Sequence, residues 1–549
     1  MACLNRVGWG KFIGMAAILA LFGVCLPNDR TALADGPAIR RVDCWFKVPA
    51  DHKVSCYRIQ VPEQRSAALS VDPSSAGGRQ SPGNLTGAAG RARAPLGSSS
   101  VGPSSKRMML DLPVVVISTP KDRQHDDAVV YLSGGPGDGD WVDADRIGYW
   151  WTYLADNPWL RHRDLVLFDQ RGVGMTEPRA DCPELAALNI RGLTFGNDHA
   201  RSEAAERDAG KACLARLYRE GHDPAAYTTA ASAADLHDIF HALGLPRWNV
   251  YGLSYGTRLG LTYMRDFPDD IRSVILDSVY PPQIHFLEDD AWRTDRAFRM
   301  ILDGCAQDRH CRGWYPDLAG RLQRLVDRLN GSPLPIDTRD PNTGAPLHFD
   351  FTGETLLGHL FFNMYNRRDI ERVPQIIDIF DRNLTRQIKP EIDDLLANVN
   401  DRPDWGDAMA TTIDCLEDTA FNDLDKTRAN YRAYPLLREF AEDDPAPVCP
   451  VWVQPPPDRR LTQPVSSTLP ALILTGVYDP VTPPQYARLA SASLINSFYF
   501  EFQGIGHDVL GNDDCAGRLA DAFLDRPSQA PTDRCLGGLS PPDFEPPAD

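Results

Sequence analysis

A sharp turn is encoded at residues 248–257, where the sequence reads Trp-Asn-Val-Tyr-Gly-Leu-Ser-Tyr-Gly-Thr. An apolar run of β type leads into Gly-x-Ser-x-Gly, and a helix-compatible segment follows it. A strand that turns abruptly into a helix leaves no room for a side chain two residues before or after the serine, which explains both glycines. The pattern therefore predicts a strand, a tight turn and a helix, with Ser254 exposed at the turn as a nucleophile.

A serine hydroxyl is a weak nucleophile that needs a general base, and the base needs a carboxylate to orient it. When the nucleophile sits on a turn of this kind, the acid and the histidine follow it in that order. Asp479 stands in the loop after the apolar run 472–475, and His507 stands in a glycine-rich loop after the next β-type run. These positions predict a catalytic triad of Ser254, His507 and Asp479.

Acyl transfer also requires two hydrogen-bond donors for the negative oxygen of the tetrahedral intermediate. One predicted donor is the backbone N–H of Tyr255, directly after the nucleophile. The other is expected from Ser-Gly-Gly-Pro-Gly at 133–137, because glycine lets the backbone approach a substrate closely. Pro136 has no N–H, so Gly134 or Gly135 is the predicted donor. A phosphate-binding loop is the alternative interpretation, but no Gly-Lys-Ser/Thr follows this segment.

Short β-type runs alternate with helical segments along the chain, which predicts an α/β fold with a mostly parallel sheet flanked by helices. The runs lie at 129–132, 165–168, 248–251, 274–276, 472–475 and 498–502. The stretch 281–445 is mostly helical by its hydrophobic period and interrupts this alternation, so we expect a helical cap there. The core is then predicted in two parts, 35–280 and 446–540.

Two segments are expected to lie outside that core. Residues 1–34 place Arg6 and Lys11 before an apolar run and end in Ala-Leu-Ala, which is typical of a signal peptide. The run has about 15 residues, whereas a membrane span needs about 20. We therefore expect a secreted or periplasmic protein with no membrane anchor after cleavage. Residues 64–107 consist largely of Ser, Gly, Ala, Pro and Arg without any aromatic residue, which predicts a disordered insertion.

The cysteines agree with export. The sequence has 12 of them, and removing Cys3 and Cys25 with the leader leaves an even set, as a disulfide framework requires. No Cys-x-x-Cys pair is present, which argues against a zinc ribbon or a thioredoxin-like redox site. Among the possible connectivities we predict pairing between sequence neighbours: Cys44–Cys56, Cys182–Cys213, Cys305–Cys311, Cys415–Cys449 and Cys515–Cys535.

Charge and metal-binding patterns argue against other classes of function. The formal net charge is −18, which disfavours nucleic acid and anionic membranes as partners. The segment His237-Asp-Ile-Phe-His241 is similar to the His-Glu-x-x-His zinc motif, and on a helix its two histidines would share a face. Because Asp238 is a shorter base than the motif requires, we assign this helix a structural role and expect no metal and no cofactor.

Three motifs occur together: Ser-Gly-Gly-Pro-Gly at 133–137, Asp-Gln-Arg-Gly at 169–172 and Gly-Leu-Ser-Tyr-Gly-Thr at 252–257. Together they resemble the prolyl and tripeptidyl aminopeptidases of the α/β-hydrolase fold, the S33 peptidases. The stretch from about Cys449 to Cys535 is similar to the C-terminal region of tripeptidyl peptidases, which carries the acid and the histidine. The resemblance implies the α/β-hydrolase fold, a peptide substrate, and cleavage from the amino terminus through an acyl-enzyme on Ser254.

The resemblance also implies a carboxylate for the ammonium group of the substrate, which a charge-assisted hydrogen bond would recognise. Relatives carry an Ile-x-Cys-x-acid pattern, and this chain reads Thr-Ile-Asp-Cys-Leu-Glu-Asp at 412–418, so Glu417 is the predicted ligand. A solvated helix face is the alternative for this segment. The chain departs from the family at Ser133, where the first motif usually begins with histidine, so a side-chain role of that histidine is lost.

Two other functions share parts of this pattern. A carboxylesterase or lipase has the same triad and differs in what its cap admits. A non-catalytic binding protein on the same fold tends to lose one triad member, whereas this chain keeps Ser254, Asp479 and His507. A peptidase acting from the amino terminus is the interpretation that the motifs favour.

Overall fold

The structure is a computed structural model that describes residues 38–65, 108–118, 125–160, 162–399 and 404–548 of the 549-residue chain. The predicted signal peptide at 1–34 lies outside the described residues, as does nearly all of the predicted insertion at 64–107. The boundaries proposed for the two core parts and the cap stay predictions.

Nine strands form one sheet and two more form a separate hairpin. Their bounds are β1 Ala38–Val42, β2 Lys53–Pro62, β3 Met109–Ser118, β4 Ala128–Leu132, β5 Asp164–Phe168, β6 Trp248–Leu253, β7 Ile271–Asp277, β8 Leu334–Arg339, β9 Pro346–Phe351, β10 Ala471–Gly476 and β11 Ser497–Phe502. The order in the sheet is β1-β2-β3-β5-β4-β6-β7-β10-β11, and β8 pairs with β9. From β5 to β11 all neighbours are parallel, whereas β1, β2, β3 and β5 pair antiparallel in succession.

Helices connect the strands and make up most of the region between β7 and β10. Their bounds are α1 Gly148–Asp156, α2 Pro183–Ala186, α3 Leu188–Gly192, α4 His199–Glu220, α5 Thr229–Leu243, α6 Tyr255–Asp266, α7 Asp290–Gln307, α8 Arg309–Trp314, α9 Leu318–Gly331, α10 Gly353–Phe362, α11 Arg367–Asp381, α12 Thr385–Asn398, α13 Asp407–Ile413, α14 Leu424–Arg432, α15 Pro484–Ser491, α16 Val509–Asn512 and α17 Asp514–Asp525. A single π-helical turn, Asp414–Asp418, extends α13.

The central strands are apolar on both faces because helices cover both sides of the sheet. On β6, Val250 packs into one buried cluster and its neighbour Tyr251 into another. On β10, Ile473 packs into the first of these clusters and Leu474 into the second. Helices α5 and α6 contribute to the first cluster, and α1 and α17 contribute to the second. This three-layer arrangement confirms the predicted fold class.

A further buried cluster holds the region between β7 and β10 together. It combines apolar residues of α7, α9, α10, α11 and α12 with the inward faces of the β8–β9 hairpin, where Phe351 stacks on Phe380 of α11. The region is mostly helical, as its hydrophobic period indicates. The hairpin was not predicted.

Five disulfides join sequence neighbours, and they are the five predicted pairs: Cys44–Cys56, Cys182–Cys213, Cys305–Cys311, Cys415–Cys449 and Cys515–Cys535. Within the described part of the chain, none of the helices combines the length and the apolar composition that crossing a bilayer would take.

Candidate active site

Ser254 occupies the turn between β6 and α6 with φ +55° and ψ −121°. A non-glycine residue with this backbone is strained by about 1–3 kcal/mol, and such strain collects at functional sites. The flanking glycines permit the turn: a Cβ on Gly252 would lie 2.4 Å from the Gly256 oxygen, and one on Gly256 would lie 2.0 Å from the Leu132 oxygen. Any larger residue at either position would collide with backbone, so the turn requires glycine there.

Asp479 and His507 meet at the carboxyl ends of β10 and β11. The Nδ1 atom of His507 lies 2.9 Å from Oδ2 of Asp479. A carboxylate only accepts hydrogen bonds, so this contact places the proton of a neutral imidazole on Nδ1 and leaves Nε2 as the basic nitrogen. Both side chains are buried, and the Asp479 carboxylate also accepts from the N–H groups of Val481 and Thr482 at 2.8 Å each and from the Thr482 hydroxyl at 2.8 Å.

These contacts set the charge state of the pair. Burial by itself would raise the pKa of Asp479, but the positive charge of His507 and the hydrogen bonds from His507 and Thr482 outweigh it and leave the pKa below 3.8. Burial would lower the pKa of His507, and the charge and hydrogen bond of Asp479 reverse this, so the pKa lies above 6.5. The carboxylate is therefore ionised at neutral pH and stabilises an imidazolium beside it.

Ser254 and His507 open into one cavity of about 850 Å³ between the sheet and the overlying helices. The sheet side contributes the 133–141 loop and several aromatic side chains, Tyr131, Trp141, Tyr149, Trp150, Tyr153 and Tyr251. The region between β7 and β10 contributes Phe362, Tyr365, Ala397, Asn398, Val399, Trp405 and Asp407, and Asn189 of α3 also lines the cavity. The cavity is therefore lined both by the sheet and its loops and by the region between β7 and β10.

The predicted oxyanion donors lie beside the serine. A Cβ built on Gly134 would be 3.3 Å from the Ser254 Cβ, so the Gly134 backbone runs directly along the nucleophile. Gly135 has φ +101° and also lines the cavity. Tyr255 is the first residue of α6, where backbone N–H groups have no partner within the helix. These positions suit two donors that face one oxygen.

The α/β-hydrolase fold family matches residues 127–514 of the chain, which include the turn and the acid–histidine pair. The chain belongs to this family. It is 25% identical over 449 residues to serine protease Hip1 of Mycobacterium tuberculosis, which covers 76% of this chain and 79% of that protein. Shorter stretches match a tripeptidyl aminopeptidase of Streptomyces lividans (35% over 163 residues; 28% of this chain, 29% of the other) and a proline iminopeptidase of Aeromonas sobria (30% over 224 residues; 40% and 44%).

These similarities confirm the predicted resemblance to aminopeptidases of the α/β-hydrolase fold. The chain is a serine hydrolase, and its relatives include serine peptidases.

Glu417 of this hydrolase does not fit the role predicted for it. Its side chain is fully buried and is not part of the cavity wall. Its two oxygens accept from the Thr229 N–H at 2.8 Å and from the Thr229 hydroxyl at 2.6 Å, and Arg258 lies 3.8 Å away. A carboxylate held in this way has no room for the ammonium of a substrate. We therefore replace the predicted role by a structural one, bracing α5 and the Tyr255 hydroxyl, which contacts Thr229 at 2.9 Å.

The Asp-Gln-Arg-Gly motif of the hydrolase braces the loop after β5. Asp169 accepts the Asp140 N–H at 2.9 Å and the Met175 N–H at 2.7 Å, and burial raises its pKa to about 6. Arg171 makes a buried two-bond contact with Asp235 at 2.8 and 2.7 Å. Neither Asp169 nor Arg171 lines the cavity, so the motif supports the 133–141 loop from behind.

A contact between the catalytic base and the region between β7 and β10 was not predicted from the sequence. The backbone N–H of His507 donates to the backbone oxygen of Tyr365 at 2.8 Å. The Tyr365 ring lies edge-on to the imidazole with 5.1 Å between ring centres. A Cβ on Gly506 would be 2.1 Å from the Met364 oxygen, which explains the glycine before the histidine. The region between β7 and β10 therefore contacts the site at His507, the predicted general base.

Among the described residues, one group could hold a metal ion, and it includes the histidines of the zinc-like pattern. His237 and His241 on α5 lie with Asp270, which precedes β7. The His237 Nδ1 atom is 2.7 Å from an Asp270 oxygen that also accepts the Tyr263 hydroxyl at 2.7 Å. The group stands at the amino end of β7, whereas Ser254 lies level with the carboxyl end, so it is remote from the cavity.

Proposed function

We propose that the protein is an exported aminopeptidase that releases residues from the amino terminus of peptides through an acyl-enzyme on Ser254. The observation that carries this proposal is the charge of the cavity that Ser254 and His507 share. Its wall includes four aspartates, Asp138, Asp140, Asp407 and Asp508, and the described residues of the wall include neither lysine nor arginine. Burial raises the pKa of Asp140 well above its ordinary value and also raises that of Asp508, so these two contribute less of the negative charge.

Such a wall favours a cation. A field of one sign in an enclosed cavity raises the local concentration of an oppositely charged ligand, and a carboxylate forms charge-assisted hydrogen bonds with an ammonium group. A peptide with a free amino terminus carries that group a few atoms from its first peptide bonds. We propose that carboxylates of the wall take the role first expected of Glu417, with Asp138 on the sheet side and Asp407 on the cap as the leading candidates.

The proposed reaction has two halves. The Ser254 Oγ attacks the scissile carbonyl carbon while Nε2 of His507 takes the hydroxyl proton, and the N–H groups of Tyr255 and Gly134 bind the oxyanion. The C–N bond then breaks, and the imidazolium gives its proton to the leaving amine. Water attacks the acyl carbon while His507 takes its proton, the C–Oγ bond breaks, and the imidazolium returns the proton to Ser254 Oγ as the acid product leaves. Asp479 holds the imidazole tautomer throughout.

Export is supported by the five disulfides, which persist in oxidising compartments, and by the leader pattern at 1–34. Amino-terminal sequencing of the protein recovered from the medium or periplasm should begin at Asp35. A mature protein that keeps residues 1–34 would contradict cleavage.

The experiment compares one peptide amide of coumarin with its N-acetyl derivative and with an acyl ester. Loss of the ammonium contact should lower kcat/KM for the acetylated peptide by about 10- to 100-fold, as expected for a hydrogen bond to a charged group. Asp138→Asn and Asp407→Asn should each be compared with the wild type, and the variant that removes the contact should lose rate on the free peptide but little on the ester.

Equal rates on free and acetylated peptides would contradict the aminopeptidase proposal. Rapid turnover of esters with none of either peptide would instead support a carboxylesterase.

A further inference from the structure

Two residues at the end of β7, Asp277 and Ser278, touch three segments of the candidate site that are distant in sequence. The backbone oxygen of Asp277 accepts the N–H of Ser254, with 3.0 Å between nitrogen and oxygen. The N–H of Ser278 donates to the backbone oxygen of Leu474 on β10 at 3.0 Å, in the strand that leads to Asp479. The pair therefore links the nucleophile turn to the strand of the acid.

The side chains of the same pair hold the loop of the base. The two oxygens of Asp277 accept the N–H groups of Val509 at 2.9 Å and Leu510 at 2.8 Å. The Ser278 hydroxyl oxygen accepts the N–H of Asp508 at 3.0 Å. These are the three consecutive N–H groups that follow His507, so none of them is left without an acceptor.

Neither side chain reaches a substrate. Asp277 and Ser278 are fully buried, and neither lines the cavity. Ser278 has φ +56°, a backbone that a residue with a side chain adopts only when its surroundings hold it there. Ser278 is strained, and both side-chain oxygens of the neighbouring Asp277 accept backbone N–H groups. This combination indicates that the two residues hold the loop after His507 in one position.

We propose that Asp277 is a positioning residue for the general base, which fixes the loop of His507 relative to the turn of Ser254. This inference rests on the proposed function, in which His507 takes the proton of Ser254. A displacement of a reacting group by about 1 Å can change a rate by about 100-fold. A residue that fixes His507 relative to Ser254 therefore affects the rate.

The test substitutes Asp277→Asn, which keeps the size of the side chain. The amide offers one acceptor and turns its NH₂ group towards a backbone N–H, so the loop after His507 must shift. We expect kcat to fall by about 10- to 100-fold with KM unchanged. The rate of fluorophosphonate labelling at Ser254 should fall by a similar factor, because the base assists that step as well.

The matched control is Asp270→Asn at the other end of β7. Asp270 is also a buried carboxylate that accepts a hydrogen bond, from the Tyr263 hydroxyl at 2.7 Å, but it is remote from the cavity. This variant should melt at a lower temperature than the wild type and keep its kcat and labelling rate. A purely structural role of Asp277 would give the same result for both variants.

Wild-type kcat and labelling in Asp277→Asn would overturn the inference. If Asp277→Asn does not fold, Ser278→Ala removes the acceptor of the Asp508 N–H and the hydrogen bond that the Ser278 hydroxyl donates to Asp277 at 3.2 Å. It should lower kcat about 2- to 10-fold, as the loss of neutral hydrogen bonding would, and an unchanged kcat there would equally overturn the inference. Failure of the proposed function is separate, because it would appear as full turnover in Ser254→Ala whatever Asp277→Asn does.

Discussion

At the scale of single residues, the protonation of His507 decides when the proposed reaction runs. Burial would lower the pKa of this imidazole, and the charge and hydrogen bond of Asp479 raise it above 6.5. The base acts only when it is neutral, so kcat/KM should fall as the pH drops through a midpoint above 6.5. A pH profile of the wild type checks this, and a midpoint below 6.5 would contradict it.

Asp479→Asn changes the same profile in a predictable direction. Without the carboxylate the imidazolium loses its main stabilising charge, so the acidic limb should move to lower pH. The rate at the plateau should also fall, but less than in Ser254→Ala, because the imidazole loses its orienter and the nucleophile remains. An acidic limb that does not move would mean that Asp479 does not face His507 in solution.

A substitution at Glu417 tests whether this residue has a structural role. Its carboxylate holds Thr229, so Glu417→Gln should lower the melting temperature through loss of about 1–3 kcal/mol of buried hydrogen bonding. Because Glu417 is outside the cavity, any loss of kcat/KM should be equal for a free peptide and an acyl ester. Loss confined to the free peptide would restore its predicted role as the amino-group ligand.

At the scale of elements, the turn between β6 and α6 depends on backbone contact. A Cβ on Gly256 would be 2.0 Å from the Leu132 oxygen, whereas one on Gly260, a turn further along α6, would meet side-chain atoms no closer than 3.6 Å. Gly256→Ala should therefore abolish activity and destabilise the fold. Gly260→Ala should retain activity and gain up to about 1 kcal/mol, since alanine favours a helix over glycine. Measurements of the melting temperature and of the turnover of both variants check this contrast.

The elements near the catalytic motifs were predictable because their patterns are local. The apolar run before Ser254 and its glycines specify a strand and a turn whatever surrounds them. The antiparallel succession of β1, β2, β3 and β5 was not predictable, since β2 pairs with β3, and β3 with β5, across long stretches of sequence. The β8–β9 hairpin was missed because its alternation is short and lies among helices.

The prediction that Glu417 binds the amino group of the substrate was wrong for a related reason. The pattern around Glu417 places an acid near the end of the cap, but sequence does not tell which way a helical side chain points. Here the π-helical turn at Asp414–Asp418 directs Glu417 to Thr229. The carboxylates of the cavity come from three separate segments, and no spacing in the sequence connects them.

At the scale of the whole molecule, none of the proposed chemical steps uses a metal ion. His237, His241 and Asp270 are remote from the cavity, so chelation there should leave the chemistry untouched. Dialysis against EDTA should therefore leave kcat and KM for a peptide substrate unchanged. Loss of activity that zinc restores, and that His241→Ala reproduces, would assign the reaction to a metal instead.

We expect Ser254 to be the residue that forms the acyl-enzyme. The most direct measurement is labelling with a fluorophosphonate, with the modified residue mapped by mass spectrometry and the remaining peptidase activity followed in the same sample. We expect one label per molecule, on Ser254, with activity lost in proportion, and neither label nor turnover in Ser254→Ala. Wild-type turnover in Ser254→Ala, or a label on another residue with activity lost, would show that Ser254 is not the nucleophile.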